Sequence, residues 1–278
     1  MSGLRALAEA AARAGAAVLL EHAGNITGLR TKSGATDLVS AADVASGVAI
    51  ARVIAGGVYG ARFVIEEPEV YERAGVTAGS LDDDLVWVID PLDGTTSFVH
   101  SYPCWSVSIA CLEHGQPIAG VVYNVPAAEM VSASLGAGAA LNGRALSCAG
   151  SPTLEGALLG TGFPYDRGAA LDRQLRLLQR LLRPAHDIRR DGSAAVDLCH
   201  VAIGRTDGFW ETSLRPWDMA AGVLIVQESG RHCERLPGPP MDNGNLRCGS
   251  GKRRASRGSS RCNCRGGLTV RSPTARPA

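Results

Sequence analysis

Apolar and polar positions change period several times along the chain. Leu4, Leu7, Ala11, Val18 and Leu19 recur at helical spacing, which predicts an amphipathic helix over 4–22 stopped by Gly24 and Asn25. Residues 32–37 are polar and contain glycine, and read as a mobile loop or hairpin. A second helix runs to about residue 54, with Asp43 near its N-terminal end, where the helix dipole favours an acid. Phe63-Val64-Ile65 is a short strand ending in Glu66-Glu67-Pro68, and 69–84 reads as a loop carrying the solvated run Asp82-Asp83-Asp84. Val86-Trp87-Val88-Ile89 does not alternate, so it predicts a strand buried on both faces and ended by Asp90. Residues 105–112 and 118–123 alternate as adjacent strands around a turn at 113–116, with 130–133 as a third. The glycine-rich stretch 136–143 lacks GxGxxG spacing and reads as strand-connecting backbone. A strand at 157–161, helices at 169–182 and 192–202, and a strand 209–211 ending in Glu211 follow. Pro216 then opens a last helix to about residue 227, with Asp218 in its first turn. Strands and helices mix without strict βαβ alternation, which predicts a layered α+β architecture.

Composition adds two points. The 278 residues suit one large domain or two packed lobes, and no apolar run reaches the roughly 18–20 residues of a membrane span. The alanine-rich N-terminus carries Arg5, Glu9 and Arg13 within its apolar pattern, unlike a signal peptide, so a cytoplasmic location is expected. The formal net charge of +1 conceals an asymmetry: from Arg231 onward 11 Lys and Arg face 2 Asp and Glu, leaving 17 basic and 25 acidic residues before it. The acidic body suits a collector of cations. The segment 231–278 has no apolar period, and reads as a basic, disordered or aberrant tail that leaves a sheet edge uncovered. Of the eight cysteines, Cys104, Cys111, Cys148 and Cys199 sit among apolar or small residues as buried thiols. Cys233, Cys248, Cys262 and Cys264 lack CxxC pairing, and a cytosolic redox state disfavours disulfides.

The chemistry centres on Asp90-Pro91-Leu92-Asp93-Gly94-Thr95-Thr96. Pro91 keeps Asp90 extended, Asp93 follows three residues on, and Gly94, Thr95 and Thr96 can start a helix with free N–H groups. Two carboxylates, a hydroxyl and anion-ready amides suit divalent cations and a phosphate. The bland alternative is an Asp-Gly turn closed by its own side chains; against it stand Glu66, Asp43 and Asp218 at other element ends. No histidine or cysteine is placed as a phosphoenzyme nucleophile, which favours in-line attack by water.

The same residues carry a resemblance. Asp90-Pro91-Leu92-Asp93-Gly94-Thr95-Thr96 resembles the DPxDGT signature of the inositol monophosphatase family, the lithium-sensitive, magnesium-dependent phosphatases, and Trp217-Asp218-Met219-Ala220-Ala221-Gly222 resembles its WDxAAG signature. The likeness runs from about residue 8 to 230. It implies an α+β fold, a layered αβαβα sandwich of the sugar-phosphatase type, with 1–230 as a catalytic domain of two packed lobes and an irregular C-terminal tail. It implies two or three Mg2+ ions on Glu66, Asp90, Asp93, Asp218 and the Leu92 carbonyl. Thr95 with Asp43, alongside Glu66, would activate the attacking water, and Lys32 and Asp37 would belong to the mobile loop closing the site. Asp93, Gly94, Thr95 and Thr96 would hold phosphate, and Gly192, Ser193, Ala194, Glu211 and Asp218 the alcohol. The implied reaction is hydrolysis of a small polyol or sugar phosphate, inositol monophosphate foremost, by a cytoplasmic homodimer. Histidinol phosphate, fructose bisphosphate and 3′-phosphonucleotides are alternative substrates. Some bacterial relatives bind transcription machinery, so the different-class alternative is a non-catalytic binding protein, with nucleic acid contacted only through the basic tail. Two departures stand out: Ile65 replaces the glycine usual before Glu-Glu, which predicts strain if that position needs φ > 0, and the usual C-terminal strands and helix are missing after Gly230.

Overall fold

The apolar run Val86-Trp87-Val88-Ile89 is buried on both faces, as its lack of alternation requires, and lies inside an eight-stranded sheet. The structure is a computed structural model and describes residues 2–32, 38–147, 153–235 and 244–249. The first half of the chain gives α1 (Ser2–His22), β1 (Arg30–Thr31), β2 (Leu38–Val39), α2 (Ala41–Gly57), β3 (Arg62–Ile65), α3 (Glu69–Ala74), β4 (Thr77–Ala78), β5 (Val86–Asp93), α4 (Thr95–Val99), β6 (Ser106–Glu113), β7 (Gln116–Asn124), β8 (Glu129–Ser134), β9 (Ala139–Leu141) and β10 (Arg144–Ala145). The second half gives β11 (Leu158–Thr161), α5 (Ala169–Leu182), β12 (Asp187–Arg189), α6 (Ala194–Ile203), β13 (Gly208–Leu214), α7 (Pro216–Glu228), β14 (His232–Arg235) and β15 (Gly244–Gly249).

The described residues form an eight-stranded sheet in the order β10-β9-β8-β7-β6-β5-β3-β4, a five-stranded sheet β12-β11-β13-β15-β14, and the small pair β1-β2. Alternate residues of β5 sort into different cores, as the two-residue period of a strand dictates. Trp87 and Ile89 join Ala8, Leu19, Ile50 and Ile54 of α1 and α2, whereas Val86 and Val88 join Leu198 of α6, Leu224 of α7 and Phe209 of β13. Leu159 and Trp210, on the far side of the smaller sheet, pack on Leu177, Leu178 and Leu181 of α5. The order of layers is therefore helix, sheet, helix, sheet, helix, the αβαβα sandwich that the resemblance implied. Small residues of the second signature permit the middle layer. A Cβ on Gly120 of β7 would lie 3.1 Å from the Ala221 main chain, and one on Gly222 would lie 2.5 Å from Leu198 Cδ1. Among the described residues, no helix is long and apolar enough to cross a membrane.

Several expectations need correction. The segment 69–84 holds α3 and β4: Val70 is fully buried, and the Tyr71 hydroxyl accepts from the Ile65 N–H (2.8 Å) and donates to the Phe63 carbonyl (3.2 Å), which fastens α3 to β3. Ile65 is an ordinary strand residue paired with Ile89, and its φ is not positive, so no strain arises there. The sheet edge after β13 is covered. β15 pairs antiparallel with β13 and β14 with β15, a main-chain ladder that needs no apolar period. Cys233 and Cys248 face each other in that ladder and form a disulfide, against the expectation of free thiols. Cys104, Cys111 and Cys199 are buried and free, as expected, and Cys148 lies outside the described residues. The remainder of the basic tail, 250–278, also lies outside them.

Candidate active site

β5 does not end at Asp90. It continues through Pro91 and Leu92 to Asp93, and its pairing with β6 slips: Asp90 faces Ser108 and Asp93 faces Ser106. Pro91 and Leu92 of β5 thus stand opposite Val107 of β6 alone. Residues three apart on a regular strand point to opposite faces, but this bulge inserts one residue, so Asp90 and Asp93 share the face of Ser106 and Ser108. That face looks towards α6 and α7, since the Ser106 hydroxyl lies 3.2 Å from the Ser193 hydroxyl and the Ser108 hydroxyl donates to the Trp217 carbonyl at 3.2 Å. The bulge is held from behind by α2, whose Ser46 hydroxyl donates to the Pro91 carbonyl (2.9 Å), and within itself by the Leu92 N–H donating to Asp90 (3.0 Å). Gly94 then turns the chain at φ 94°, and a Cβ there would come within 3.0 Å of the Cys104 carbonyl and 3.2 Å of the Gly192 carbonyl.

Three further elements bring acids to this point. Glu66 follows β3, which pairs with β5, and shares a hydrogen bond with the Asp90 carboxyl. Asp218 stands in the first turn of α7, where its carboxylate accepts from the Arg215 N–H at 2.6 Å. Burial, then the charges of Glu66, Asp93 and Asp218, push the Asp90 carboxyl well above its ordinary range. Asp218 is pushed up in the same way by burial, Asp93 and Glu66. Burial raises Asp93 to about 6, although hydrogen bonds from Ser193 and the Ala195 N–H oppose the rise. Four acids in one another's field need positive charge. One source is present: Lys32 forms ion pairs with Glu66 (2.7 Å) and with Glu67, and these two acids outweigh burial and push the Lys32 pKa up. Glu67, buried beside them, is raised to about 7, burial outweighing the attraction of Lys32.

Asp43 lies below the bulge. It completes a capping box at the start of α2, accepting from the Ser40 N–H (2.8 Å) and hydroxyl (2.6 Å), and burial raises its pKa. Its other oxygen lies 3.0 Å from the Thr95 hydroxyl, which also stands 3.2 Å from the Leu92 carbonyl. On the opposite side, the Ser193 hydroxyl caps α6 by accepting from the Val196 N–H (3.3 Å) and donates to Asp93 at 2.6 Å, while the Ala195 N–H donates to the same oxygen at 2.8 Å. Glu211 projects from β13 onto Gly162, where a Cβ would sit 2.1 Å from its carboxylate. Burial and then Asp93 raise Glu211 to about 8, with Arg190 opposing. Gln174 of α5 fixes this corner, donating to the Gly162 carbonyl (2.6 Å) and the Thr161 hydroxyl (2.7 Å).

The structure therefore gathers Lys32, Asp43, Glu66, Asp90, Leu92, Asp93, Gly94, Thr95, Gly192, Ser193, Glu211 and Asp218 around one end of β5, with Thr96 exposed beside them in α4. Asp37 lies outside the described residues. Ser193 and the N–H groups of Ala194 and Ala195 face Asp93, so they hold a carboxylate of the cluster. Three neighbours escaped the sequence reading. Glu67 stands beside Glu66 at the strand end, but the family signatures give it no role; Ser40 is legible only as a cap; Arg190, whose Nη1 would lie 3.2 Å from a Cβ on Gly192, has no motif. The all-oxygen, multiply anionic donor set fits hard divalent cations.

Comparisons with known proteins bear on the family and the fold. The model of the inositol monophosphatase family matches residues 1–263. An inositol-1-monophosphatase of Synechocystis is 40% identical over 219 residues, 79% of this chain and 74% of that protein. The chloroplastic phosphatase IMPL1 of Arabidopsis thaliana is 38% identical over 236 residues, and Nus factor SuhB of Pseudomonas aeruginosa 50% over 162 residues. The matched stretches span 62% and 60% of those two relatives' own lengths. Among solved structures, the extragenic suppressor protein suhB of Bartonella henselae superposes with a TM-score of 0.78 at 33% identity, covering 89% of this chain and 93% of that one. The inositol monophosphatase of Anabaena gives 0.76, also at 33% identity, over 89% of this chain and 90% of that one. With both signatures at one site, inside the sandwich those structures share, the chain belongs to the inositol monophosphatase family.

Proposed function

We propose that the chain hydrolyses a small polyol or sugar phosphate, inositol monophosphate foremost, in a Mg2+-dependent reaction. The observation that carries this reading is the convergence of Glu66, Asp90, Asp93 and Asp218 from three separate places, with the pKa values of the three aspartates raised and Lys32 paired to Glu66. These four carboxylates and the Leu92 carbonyl would hold two or three Mg2+ ions. Bound there, the ions supply Lewis acidity toward water and neutralise the phosphate dianion.

The remaining steps belong to the chain's own groups. Asp43, fixed by two donors from Ser40, accepts the hydrogen bond of the Thr95 hydroxyl, which leaves the Thr95 oxygen lone pairs to accept from a water and orient it. The N–H groups of Gly94, Thr95 and Thr96 donate to phosphate oxygens. Glu211, raised to about 8, is largely protonated at neutral pH and can donate to one hydroxyl of a polyol or accept from another. Lys32 screens Glu66 and Glu67 and would give way as cations enter. A homodimer and lithium inhibition belong to the same proposal, checked by sedimentation and by LiCl titration of turnover.

The test is phosphate release from a panel of monoesters with and without Mg2+. Asp90→Asn should cost more than the roughly 10–100-fold that loss of an outer partner of a metal ligand costs. A wild-type protein that binds Mg2+ and hydrolyses no monoester would overturn the reading. The likeness to proteins named Nus factor SuhB favours a second reading, a non-catalytic binding role; an inactive wild-type protein that captures a transcription complex as well as its Asp90→Asn variant does would favour it.

A further inference from the structure

We infer that the chain carries a second cation site, distinct from the one at β5, formed by Asp191, Asp197 and His200 and suited to a transition-metal ion of the zinc class. One ligand atom from each residue lies within 4.8 Å of the other two. Asp197 and His200 stand three positions apart on α6 and so share a face, while Asp191 reaches them from the segment between β12 and α6. The His200 Nδ1 to Asp191 Oδ2 distance is 3.5 Å. Ligands at roughly 2.0–2.2 Å on a tetrahedral zinc ion are separated by about 3.4 Å, so this edge is nearly formed and the others have to close from at most 4.8 Å.

Asp197 provides the second observation. Its Oδ1 is fully shielded from solvent and has no hydrogen-bond partner among the described residues, and the residue is 2% exposed. Buried polar groups are almost always partnered, and an unpartnered carboxylate is costly unless it is neutralised. Arg190 is the cation that acts on it, but donates no hydrogen bond to it. Asp191 and His200, by contrast, are a quarter and a sixth exposed and offer an entry path to the ion from solvent. An imidazole with two carboxylates is a zinc-type donor set, whereas the all-oxygen cluster at β5 suits magnesium. Asp191 is separated by one residue from Ser193, which holds Asp93, so an ion here would brace the loop that positions that carboxylate.

The test uses the full chain, stripped with chelator, returned to excess Mg2+ and titrated with Zn2+, with bound zinc counted after desalting and its ligand shell read by X-ray absorption. The expected result is one equivalent of zinc with an imidazole in its shell. His200→Gln and Asp191→Asn, each checked by melting to be folded, should weaken it at least tenfold. A wild-type protein that retains no zinc, a shell of oxygen alone, or wild-type affinity in either variant overturns the inference. Should a variant not fold, the wild-type count and shell decide it. None of these readouts depends on phosphatase activity.

Discussion

Ser193 ties a fold element to the candidate site, and its removal separates two contributions by pH. Ser193→Ala deletes a 2.6 Å hydrogen bond to Asp93 and the side-chain cap on α6. A neutral hydrogen bond contributes about 1 kcal/mol and a charge-assisted one about twice that; an N-cap contributes about 1 kcal/mol. With Asp93 ionised, the loss is therefore about 3 kcal/mol, and with Asp93 protonated about 2 kcal/mol. The sign follows from the direction of the shift. Asp93, raised to about 6 in the fold, is above its unfolded value of roughly 3.9, so its ionisation weakens the fold as pH rises through that window. Ser193 opposes the rise, so the variant's Asp93 titrates higher and loses more above pH 6. Chelator-treated wild type and variant, melted at pH 5 and pH 8, report the two cases. At about 2–4 °C per kcal/mol, the gap in Tm should be about 4–8 °C at pH 5 and about 6–12 °C at pH 8. An equal gap at both pH values would refute the assignment of this hydrogen bond to the ionised carboxylate.

Other perturbations test other contacts. Gly162→Ala would put a Cβ 2.1 Å from the Glu211 carboxyl, so Glu211 must leave the site; KM should rise about 2–10-fold, the value of a hydrogen bond to a neutral group, with kcat less affected. Gly222→Ala pushes a methyl to 2.5 Å from Leu198 Cδ1 and should cost about 1–3 kcal/mol in a melt, whereas Gly56→Ala in α2, with nothing within 4 Å, should gain about 0.5–1 kcal/mol. Reducing the Cys233–Cys248 disulfide opens a loop of sequence separation 15, and denaturation with and without reductant should differ by about 3 kcal/mol.

Strong periods made the fold legible. The helix expected at 169–182 is α5 residue for residue, and the strands at 105–112 and 118–123 differ from β6 and β7 by one to two residues at their ends. What failed lacked a period. α3 has six residues, too few for helical spacing to register, and is fixed instead by Val70 and by the Tyr71 hydroxyl bridging to β3. β14 and β15 carry no apolar pattern because their partners are main-chain groups of β13 and of each other, a stabilisation that composition does not reveal. The same ladder brings Cys233 and Cys248 opposite one another, a meeting across a sheet that cysteine spacing could not announce.

The site was legible as a set of residues but not as geometry. An Asp-x-x-Asp spacing on a strand ordinarily sends its two carboxylates to opposite faces, and reading Asp90 as the strand's end avoided that difficulty without resolving it. The structure resolves it with the bulge: Pro91 donates no N–H and Leu92 turns its own to Asp90, so two residues of the ladder fall out of register and Asp93 returns to the face of Asp90. The proline and the spacing are thus one device. Proline makes a ladder position expendable, the extra residue restores the face, and the glycine that follows admits the Cys104 and Gly192 carbonyls close enough for Ser193 to reach Asp93. A regular β5 of the same length, without the bulge, would keep every carboxylate in the sequence and turn Asp93 to the face opposite Asp90.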